Sequence, residues 1–513
     1  MFAPPAIAFS SLLIVSVAAA FAPPPPRPVA RSVSLGNASD GYLVGGRTLG
    51  DRGPGYRVMA ATRRRGYTWG TSELTDAIRR GALEVERQYP KSTLVAANLS
   101  REGGGDIGPS VSHNSGRDAD IAFYAVDERG RPVASDQLVL FDGEGNNAPS
   151  GLRFDPVRNW ALVKAFLTDE AIQVQWIFCK GALREKLLLF ARRAGEPEEL
   201  IARAADVLGE PGNSSSHSEH FHLRIYCGLH ERLLGCRNYG SMHAWVDDFT
   251  DEVMARTAQL VASFSNKDDR EVGKAIELIG AIEGHTAGPA LVSFIGSERA
   301  LSLRFSALET LVKLDGLSAL IPSLNTVLRN RAMGELRLRL VDSLSTIADS
   351  GSAATFLELI ARRGEPPAIR ARLARGLGRM RHAAAVPALS AALTERREVS
   401  QSAQEALLRI TGLSFGAGKR AVMKWQRWWS DKKDASRSDW MLEAFAERGV
   451  KFDAKRPKRS LSKLVALMRQ GGTLAECARE VIFHLSGFAL KREHYTDRQM
   501  YRFYRSWLLA GAR

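Results

Sequence analysis

Residues 213–227, NSSSHSEHFHLRIYC, constrain the fold of this chain more than any other segment. Three histidines lie within six residues there, and His220 and His222 alternate with apolar residues. A period of two is typical of a β-strand, whose alternate side chains leave the same face. We therefore predict a strand with His220 and His222 on one face and an apolar face packed against a core. The same alternation points Glu219 to the opposite face.

A second polar motif, HNSGRDAD at 113–120, offers complementary metal ligands. A hydrolytic zinc site usually takes three protein ligands from His, Asp and Glu and leaves the fourth position to water. His113, Asp120 and His222 would supply two imidazoles and one carboxylate. This set leaves the ion with net positive charge, so that it acidifies water and polarises a carbonyl. We predict one zinc ion at these three residues, in a site able to hydrolyse an amide.

Other polar residues of the two motifs have predicted roles in the reaction. His220 lies about 7 Å from His222 along the strand, within reach of the reacting water, and is the predicted base. His217 precedes the strand and could orient the reacting group. Arg117 and Arg224 could hold a substrate carboxylate or the oxyanion of the tetrahedral intermediate.

The four cysteines suggest one disulfide. Cys227 and Cys236 flank a short loop after the histidine strand, and an oxidising compartment would allow them to pair. Cys179, which ends another apolar strand, stays a possible competitor for either of them. Cys477 lies in a helical region and is predicted to be a buried small hydrophobe.

The N-terminus suggests export. Residues 6–22 form an apolar run of about 17 residues, shorter than the ~20 of a spanning helix, and small residues end it. We predict a secretory signal over 1–22, with cleavage after Ala20 favoured over Ala22 because Pro23 follows the latter. No Lys or Arg precedes the run, which leaves an uncleaved anchor as the alternative. Residues 23–40, rich in Pro, Arg and Ser, are predicted to be a flexible lead-in.

Residues 41–250 mix predicted strands and helices without a regular βαβ alternation. The strands are expected at 94–99, 120–126, 174–179 and in the histidine segment, and the helices at 72–89, 155–167, 182–193 and 198–208. Thr71 or Ser72 can cap the first of these helices. This order favours an α+β domain with a mainly antiparallel sheet.

The pattern after about residue 267 is helical only. Short motifs beginning at Pro289, Pro322, Thr355 and Pro387 recur at steps of 33, 33 and 32 residues. Each unit is a pair of amphipathic helices that cannot bury its apolar face alone, whereas stacked pairs can. We predict an all-α solenoid of HEAT-like repeats over 268–412, which could bind a protein partner. A helical, Trp-rich region follows over 413–513, whose tryptophans are either core or a polymer-binding surface.

The two histidine motifs together, SVSHNSGRDADIAF and HSEHFHLRI, resemble those of the penicillin-insensitive murein endopeptidases. These are zinc enzymes related to lysostaphin-type and D-Ala-D-Ala metallopeptidases. The resemblance covers roughly 41–250 and implies that His113, Asp120 and His222 bind zinc while His217 and His220 assist catalysis. The family often has a further histidine where this chain has Ser110, which affects any second role there but not the zinc site.

By this resemblance we expect an enzyme that cuts peptide cross-links of peptidoglycan between D-Ala and meso-diaminopimelate. Its net charge of +15 suits a polymer rich in carboxylates. The expected location is periplasmic or secreted, with no stable membrane span and no nucleic-acid partner, since no recognition motif is evident. Two alternatives stay open: a peptidoglycan-binding scaffold without turnover, and a D,D-carboxypeptidase on the same site.

Overall fold

The structure is a computed structural model that describes residues 31–108, 110–210, 217–240, 242–314, 317–347, 349–362, 364–450, 457–469, 471–486 and 497–509. The predicted signal segment and residues 23–30 of the predicted lead-in lie outside the described residues. The chain divides into two compact units, the first comprising Met1–Glu231 and Cys236–Val246 and the second comprising Arg232–Gly235 and Asp247–Arg513. Within the described part of the chain, none of the helices has the length and apolar character needed to cross a bilayer.

The first unit contains the strands. They are β1 (Val33–Asn37), β2 (Asp40–Val44), β3 (Arg47–Thr48), β4 (Arg52–Gly53), β5 (Tyr56–Val58), β6 (Trp69–Gly70), β7 (Leu94–Ala96), β8 (Asp118–Ala122), β9 (Ala125–Val126), β10 (Pro132–Val133), β11 (Asn146–Asn147), β12 (Leu152–Phe154), β13 (Val174–Phe178) and β14 (His220–Ile225). Strand β1 lies inside the predicted lead-in, so ordered structure begins earlier in the sequence than expected.

Six of these strands form the main sheet, in the order β13-β14-β8-β7-β5-β4. Every neighbouring pair is antiparallel except β5 and β7, which run parallel. A second sheet has the order β10-β9-β12-β11, and β1-β2 and β3-β6 form two-stranded ribbons. The predicted mainly antiparallel α+β arrangement is therefore confirmed for this unit.

Helices cover the main sheet and close its core. They are α1 (Ala60–Arg65), α2 (Ser72–Gln88), α3 (Pro156–Leu167), α4 (Gly181–Arg193), α5 (Glu198–Val207) and α6 (Leu229–Arg232). Helix α2 begins where predicted, because the Thr71 side chain accepts a hydrogen bond from the backbone N–H of Leu74. Phe221, Leu223 and Ile225, the apolar side chains of β14, are buried in this core. Their burial fixes the register that leaves the polar residues of β14 on the other face.

Two expected strands differ from the observed ones for a reason outside their own sequence. The strand expected at 94–99 ends at Ala96, because the Leu99 N–H bonds to the carbonyl of Tyr67. The strand expected at 120–126 is divided between β8 and β9, which belong to different sheets. Cys227 and Cys236 form a disulfide, as expected, while Cys179 and Cys477 are buried free thiols.

The second unit is helical in its described residues. Its helices are α7 (Thr250–Ala262), α8 (Asp269–Ala281), α9 (Gly288–Ile295), α10 (Leu301–Lys313), α11 (Ile321–Arg329), α12 (Leu336–Ile347), α13 (Ala353–Ala361), α14 (Pro367–Arg379), α15 (Val386–Ala391), α16 (Arg397–Thr411), α17 (Lys419–Lys432), α18 (Arg437–Glu447), α19 (Pro457–Met468), α20 (Gly472–Ser486) and α21 (Asp497–Leu509). Alternate helices from α8 to α16 pack on one another. The helical content agrees with the sequence, and the HEAT-like repeat assignment stays a prediction.

The tryptophans of the C-terminal region are largely interior. Trp425 and Trp440 are 1% exposed, and Trp428 and Trp429 pack against the same core. This core runs from Val253 to Ala444, so it extends beyond residue 412, where the repeats were expected to end. Of the two alternatives for these rings, the structure favours a role in the core.

Candidate metal centre and active site

Strand β14 places three polar side chains on one face of the main sheet, between β13 and β8. In the antiparallel ladder with β8, His222 pairs with Asp120 and Arg224 pairs with Asp118. Residues paired in this way direct their side chains to the same face. Two carboxylates of β8 therefore lie beside an imidazole and a guanidinium of β14.

His113 reaches this face from a loop that is held in an unusual backbone conformation. Its φ is +77°, a left-handed value that few non-glycine residues adopt. The glycine-rich loop holds the next residue: Gly105 N–H donates to the Asn114 carbonyl at 2.8 Å, and a Cβ at Gly104 would lie 2.3 Å from that oxygen. Glycine at 104 is thus required by close backbone approach, and the strained His113 is fixed by its surroundings.

His113, Asp120 and His222 meet at this point. Their candidate ligand atoms all lie within 4.8 Å of one another, and all three residues are buried. His113 Nε2 lies 3.4 Å from Asp120 Oδ1, while the rings of His113 and His222 meet edge to face at 4.8 Å between centroids. His113 is fully buried, yet neither ring nitrogen has a hydrogen-bond partner. Buried nitrogens without partners are costly, and a metal ion would satisfy one of them.

A second group of three shares His222. The ligand atoms of His217, His220 and His222 also lie within 4.8 Å of one another. Three neutral imidazoles leave a buried dication uncompensated, whereas the group with Asp120 adds a negative charge. The donor set of His113, Asp120 and His222 therefore fits a zinc ion better.

The two ring nitrogens of His222 face different carboxylates. Nδ1 lies 3.1 Å from Asp120 Oδ1, and Nε2 lies 2.8 Å from Asp118 Oδ1. Arg224 Nε also donates to Asp118 Oδ1, at 2.6 Å. Burial alone would raise the pKa of Asp118, but Arg224 and His222 outweigh it and hold that pKa below its usual range. The carboxylates in turn raise the pKa of His222 against the opposing effect of its burial.

His220 faces a carboxylate on each side. Its Nε2 lies 3.4 Å from Asp120 Oδ1 and its Nδ1 lies 3.6 Å from Glu219 Oε1. Burial lowers the pKa of His220, but these two carboxylates prevail and raise it to about 9 in the metal-free protein. Alternation pointed Glu219 to the opposite face, but its carboxylate contacts His220, so that expectation is wrong. Among the described residues, the two candidate ligand groups do not include Glu219. The His217 ring lies 5.1 Å from that of His220 and 5.6 Å from that of His222.

The expected contact of Arg117 with substrate is wrong. Its side chain is 1% exposed and points into the interior. Nε donates to the Ser34 hydroxyl, and the terminal nitrogens donate to the carbonyls of Ile225 and Arg237 and to the Asn238 side chain. These bonds fix β8, β14 and the loop after the disulfide to one another. Arg224 does lie on the site face, and its role towards substrate stays a prediction.

Two residues of the site were not expected from the sequence. Asp118 could have been found, because it lies two residues before Asp120 and so shares its face in a strand. Asn98 Nδ2 donates to Asp120 Oδ2 at 3.2 Å and receives a bond from Arg65 on its own carbonyl oxygen. Asn98 follows β7 in a segment with no motif, so local sequence carried no signal for it.

Comparisons with known proteins match most of the first unit and the start of the second. Residues 34–263 match the model of a family described as penicillin-insensitive murein endopeptidase. Proteins of that name from Klebsiella pneumoniae and Escherichia coli O157:H7 are 26% identical over 197 residues and 28% identical over 231 residues. These alignments cover 38% and 43% of this chain, and 66% and 77% of the respective relatives.

A solved structure also matches, without bearing on the fold. The phycocyanin lyase complex from Nostoc is 16% identical and covers 48% of this chain and all of its own, with a TM-score of 0.26. That score is too low to support a conclusion.

Proposed function

We propose, from the match of residues 34–263 to the penicillin-insensitive murein endopeptidase family model, that this chain is a zinc-dependent endopeptidase that hydrolyses peptide cross-links of peptidoglycan. The bond between D-Ala and meso-diaminopimelate is the proposed target. The observation that carries the proposal is the fully buried His113, whose ring nitrogens have no hydrogen-bond partner beside Asp120 and His222. A hydrolase centre explains why such a residue is kept there.

His113, Asp120 and His222 are the residues that would hold the ion. Asn98 donates to one oxygen of Asp120, so the other oxygen is left facing the three imidazoles. When bound at such a donor set, zinc lowers the pKa of water and polarises a carbonyl as a Lewis acid. The negative charge of Asp120 offsets the cost of burying the cation.

His220 is the proposed proton carrier. Its Nε2 points towards the ligand carboxylate, and its Nδ1 points towards Glu219, so the ring is held between the two acidic groups. A proton taken from the attacking water at Nε2 can be passed to the leaving amine, which is the usual role of a catalytic imidazole. His217, packed beside His220, is proposed to help to orient the reacting group.

The proposed substrate and location agree with the charge of the chain. A net charge of +15 favours a polymer that carries carboxylates. Peptidoglycan lies outside the cytoplasm, so we propose a periplasmic or secreted enzyme. We also propose that the helical unit binds a protein partner, which rests on the sequence alone.

The test is a digest of cross-linked dimeric muropeptides with purified, zinc-loaded protein. Conversion to monomers is expected, and His113→Ala and His222→Ala should each abolish it. His285→Ala is the matched control, because His285 is an exposed histidine of the second unit. This variant should cleave the dimers as the wild type does. Release of free D-alanine instead of monomers would indicate a carboxypeptidase. Binding to sacculi without any product would overturn the enzymatic proposal in favour of a scaffold.

A further inference from the structure

The structure contains a buried chain of polar contacts behind His222. Asp118 is fully buried, and its Oδ1 lies 2.8 Å from His222 Nε2 and 2.6 Å from Arg224 Nε. The same oxygen accepts the hydrogen bond of the Arg224 guanidinium, so Asp118 acts here as the acceptor of a carboxylate–guanidinium pair. His222 Nε2 must therefore carry a proton when it faces Asp118.

We propose that Asp118 is a positioning residue that selects which nitrogen of His222 binds the ion, and that Arg224 serves to hold Asp118 in place. With the proton fixed at Nε2, the lone pair of the neutral ring is at Nδ1, the nitrogen that faces Asp120 at 3.1 Å. The carboxylate fixes both the tautomer and the orientation of the ring, and it makes the ring a stronger ligand. The inference rests on the proposed zinc site, but it concerns metal binding and not turnover.

The contact between Arg224 and Asp118 explains why one nitrogen of His222 is selected to carry the proton. A neutral histidine whose two nitrogens both face carboxylates has two competing tautomers, with the proton on either Nδ1 or Nε2. Arg224 resolves the competition, because it pairs at 2.6 Å with the Asp118 oxygen that faces His222 Nε2 and so places a permanent positive charge beside that carboxylate. Removal of Asp118 leaves Arg224 and His222 without their shared acceptor, and His222 Nε2–H without a partner.

Zinc affinity is the direct measurement, made by competition with a chelating dye and without substrate. Losing the carboxylate behind a ligating histidine typically weakens metal binding by about 10- to 100-fold, which is the expected effect of Asp118→Ala. Asp118→Asn keeps the shape and one acceptor oxygen and should lose less, on the order of tenfold or below. Arg224→Ala should weaken zinc binding by a smaller factor, and Arg224→Lys should restore part of it.

The matched control is Asp155→Asn. Asp155 is also a buried carboxylate, which pairs with Arg158 and caps helix α3. A purely structural role for Asp118 predicts that both variants lose stability and that neither changes zinc affinity. Imidazole nitrogen NMR shifts of the zinc-loaded wild type, labelled at histidine, should show a protonated Nε2 and a ligating Nδ1 for His222.

The outcomes separate this inference from the proposed function. Zinc affinity of Asp118→Asn within twofold of the wild type, or a His222 that ligates through Nε2, would overturn the role of Asp118. Wild-type protein that binds zinc tightly, loses affinity at Asp118→Asn and cleaves no muropeptide would support the positioning role while overturning the endopeptidase. Should Asp118→Ala fail to fold, the asparagine variant and the NMR shifts still decide.

Discussion

Replacement of His113 by leucine should stabilise the metal-free protein. Neutral histidine has one N–H donor and one acceptor nitrogen, and in this structure both are buried without a hydrogen bond, since Nε2 has only a longer contact of 3.4 Å with Asp120 Oδ1. An unsatisfied buried polar group costs about 1–3 kcal/mol, and leucine removes the polar atoms while filling a similar volume. Histidine adopts a left-handed backbone more readily than most non-glycine residues, so the conformation at 113 should offset a small part of the gain from leucine.

The net gain should be on the order of 1–3 kcal/mol for the first unit. For a unit of this size each kcal/mol raises the melting temperature by about 2–4 °C, so a rise of roughly 2–12 °C is expected without metal. Zinc at 100 times its Kd should stabilise the wild type by about 2.7 kcal/mol and leave the variant unchanged. The difference in unfolding free energy between the two proteins should therefore become smaller, or change sign, when zinc is added.

Calorimetry of the full chain, with and without zinc, measures both the change in melting temperature of the metal-free protein and the stabilisation by zinc. His285→Leu serves as a control in the exposed part of the second unit and should change neither transition. A metal-free His113→Leu protein that melts below the wild type would refute the reasoning, because it would mean that the His113 nitrogens are satisfied in solution. An equal zinc response in both proteins would remove His113 from the ligand set.

Three further predictions concern stability. Arg337 and Glu365 form an ion pair at 2.6 Å, and both side chains are almost fully buried. Arg337→Ala should therefore lower the free energy of unfolding by denaturant by about 3–5 kcal/mol, and the double variant Arg337→Met with Glu365→Leu should recover most of that loss. Equal losses in the single and double variants would contradict this. Reduction of the disulfide Cys227–Cys236 should lower stability by about 2–3 kcal/mol, measured as the difference in thermal unfolding with and without reductant, and Cys227→Ser should show the same loss and no further response to reductant. Thr71→Ala removes the cap of helix α2 and should cost about 1 kcal/mol, while Thr71→Ser should cost much less.

Local sequence patterns predicted those parts of the fold that local contacts decide. The period of two around His222 predicted β14, and the capping and apolar spacing predicted α2 and α3 to within a residue or two. Strand ends were harder to predict, because they depend on partners far along the chain. The carbonyl of Tyr67 ends β7, and the split between β8 and β9 reflects two separate sheets.

Arg117 shows why a motif alone misassigns a side chain. It stands between His113 and Asp120 in the sequence, which suggested a place in the site. Its actual partners lie 83 to 121 residues away, and half of them are backbone carbonyls, which cannot be recognised from a residue pattern. The strand period already indicates this, because Arg117 and Asp118 are adjacent and their side chains leave opposite faces of an extended chain.

Glu219 shows a different error, in which the strand period was applied to a residue outside the strand. Alternation placed it away from His220, but β14 begins at His220, so residue 219 precedes the strand and is not bound by its period. The side chain turns back to within 3.6 Å of His220 Nδ1 while staying partly exposed. His220 therefore lies between a partly exposed carboxylate and a buried one, and the buried one is the proposed metal ligand. An ion bound at Asp120 would compete with His220 for that carboxylate, which would leave Glu219 as the acidic partner of His220 and couple metal binding to the proton that His220 holds.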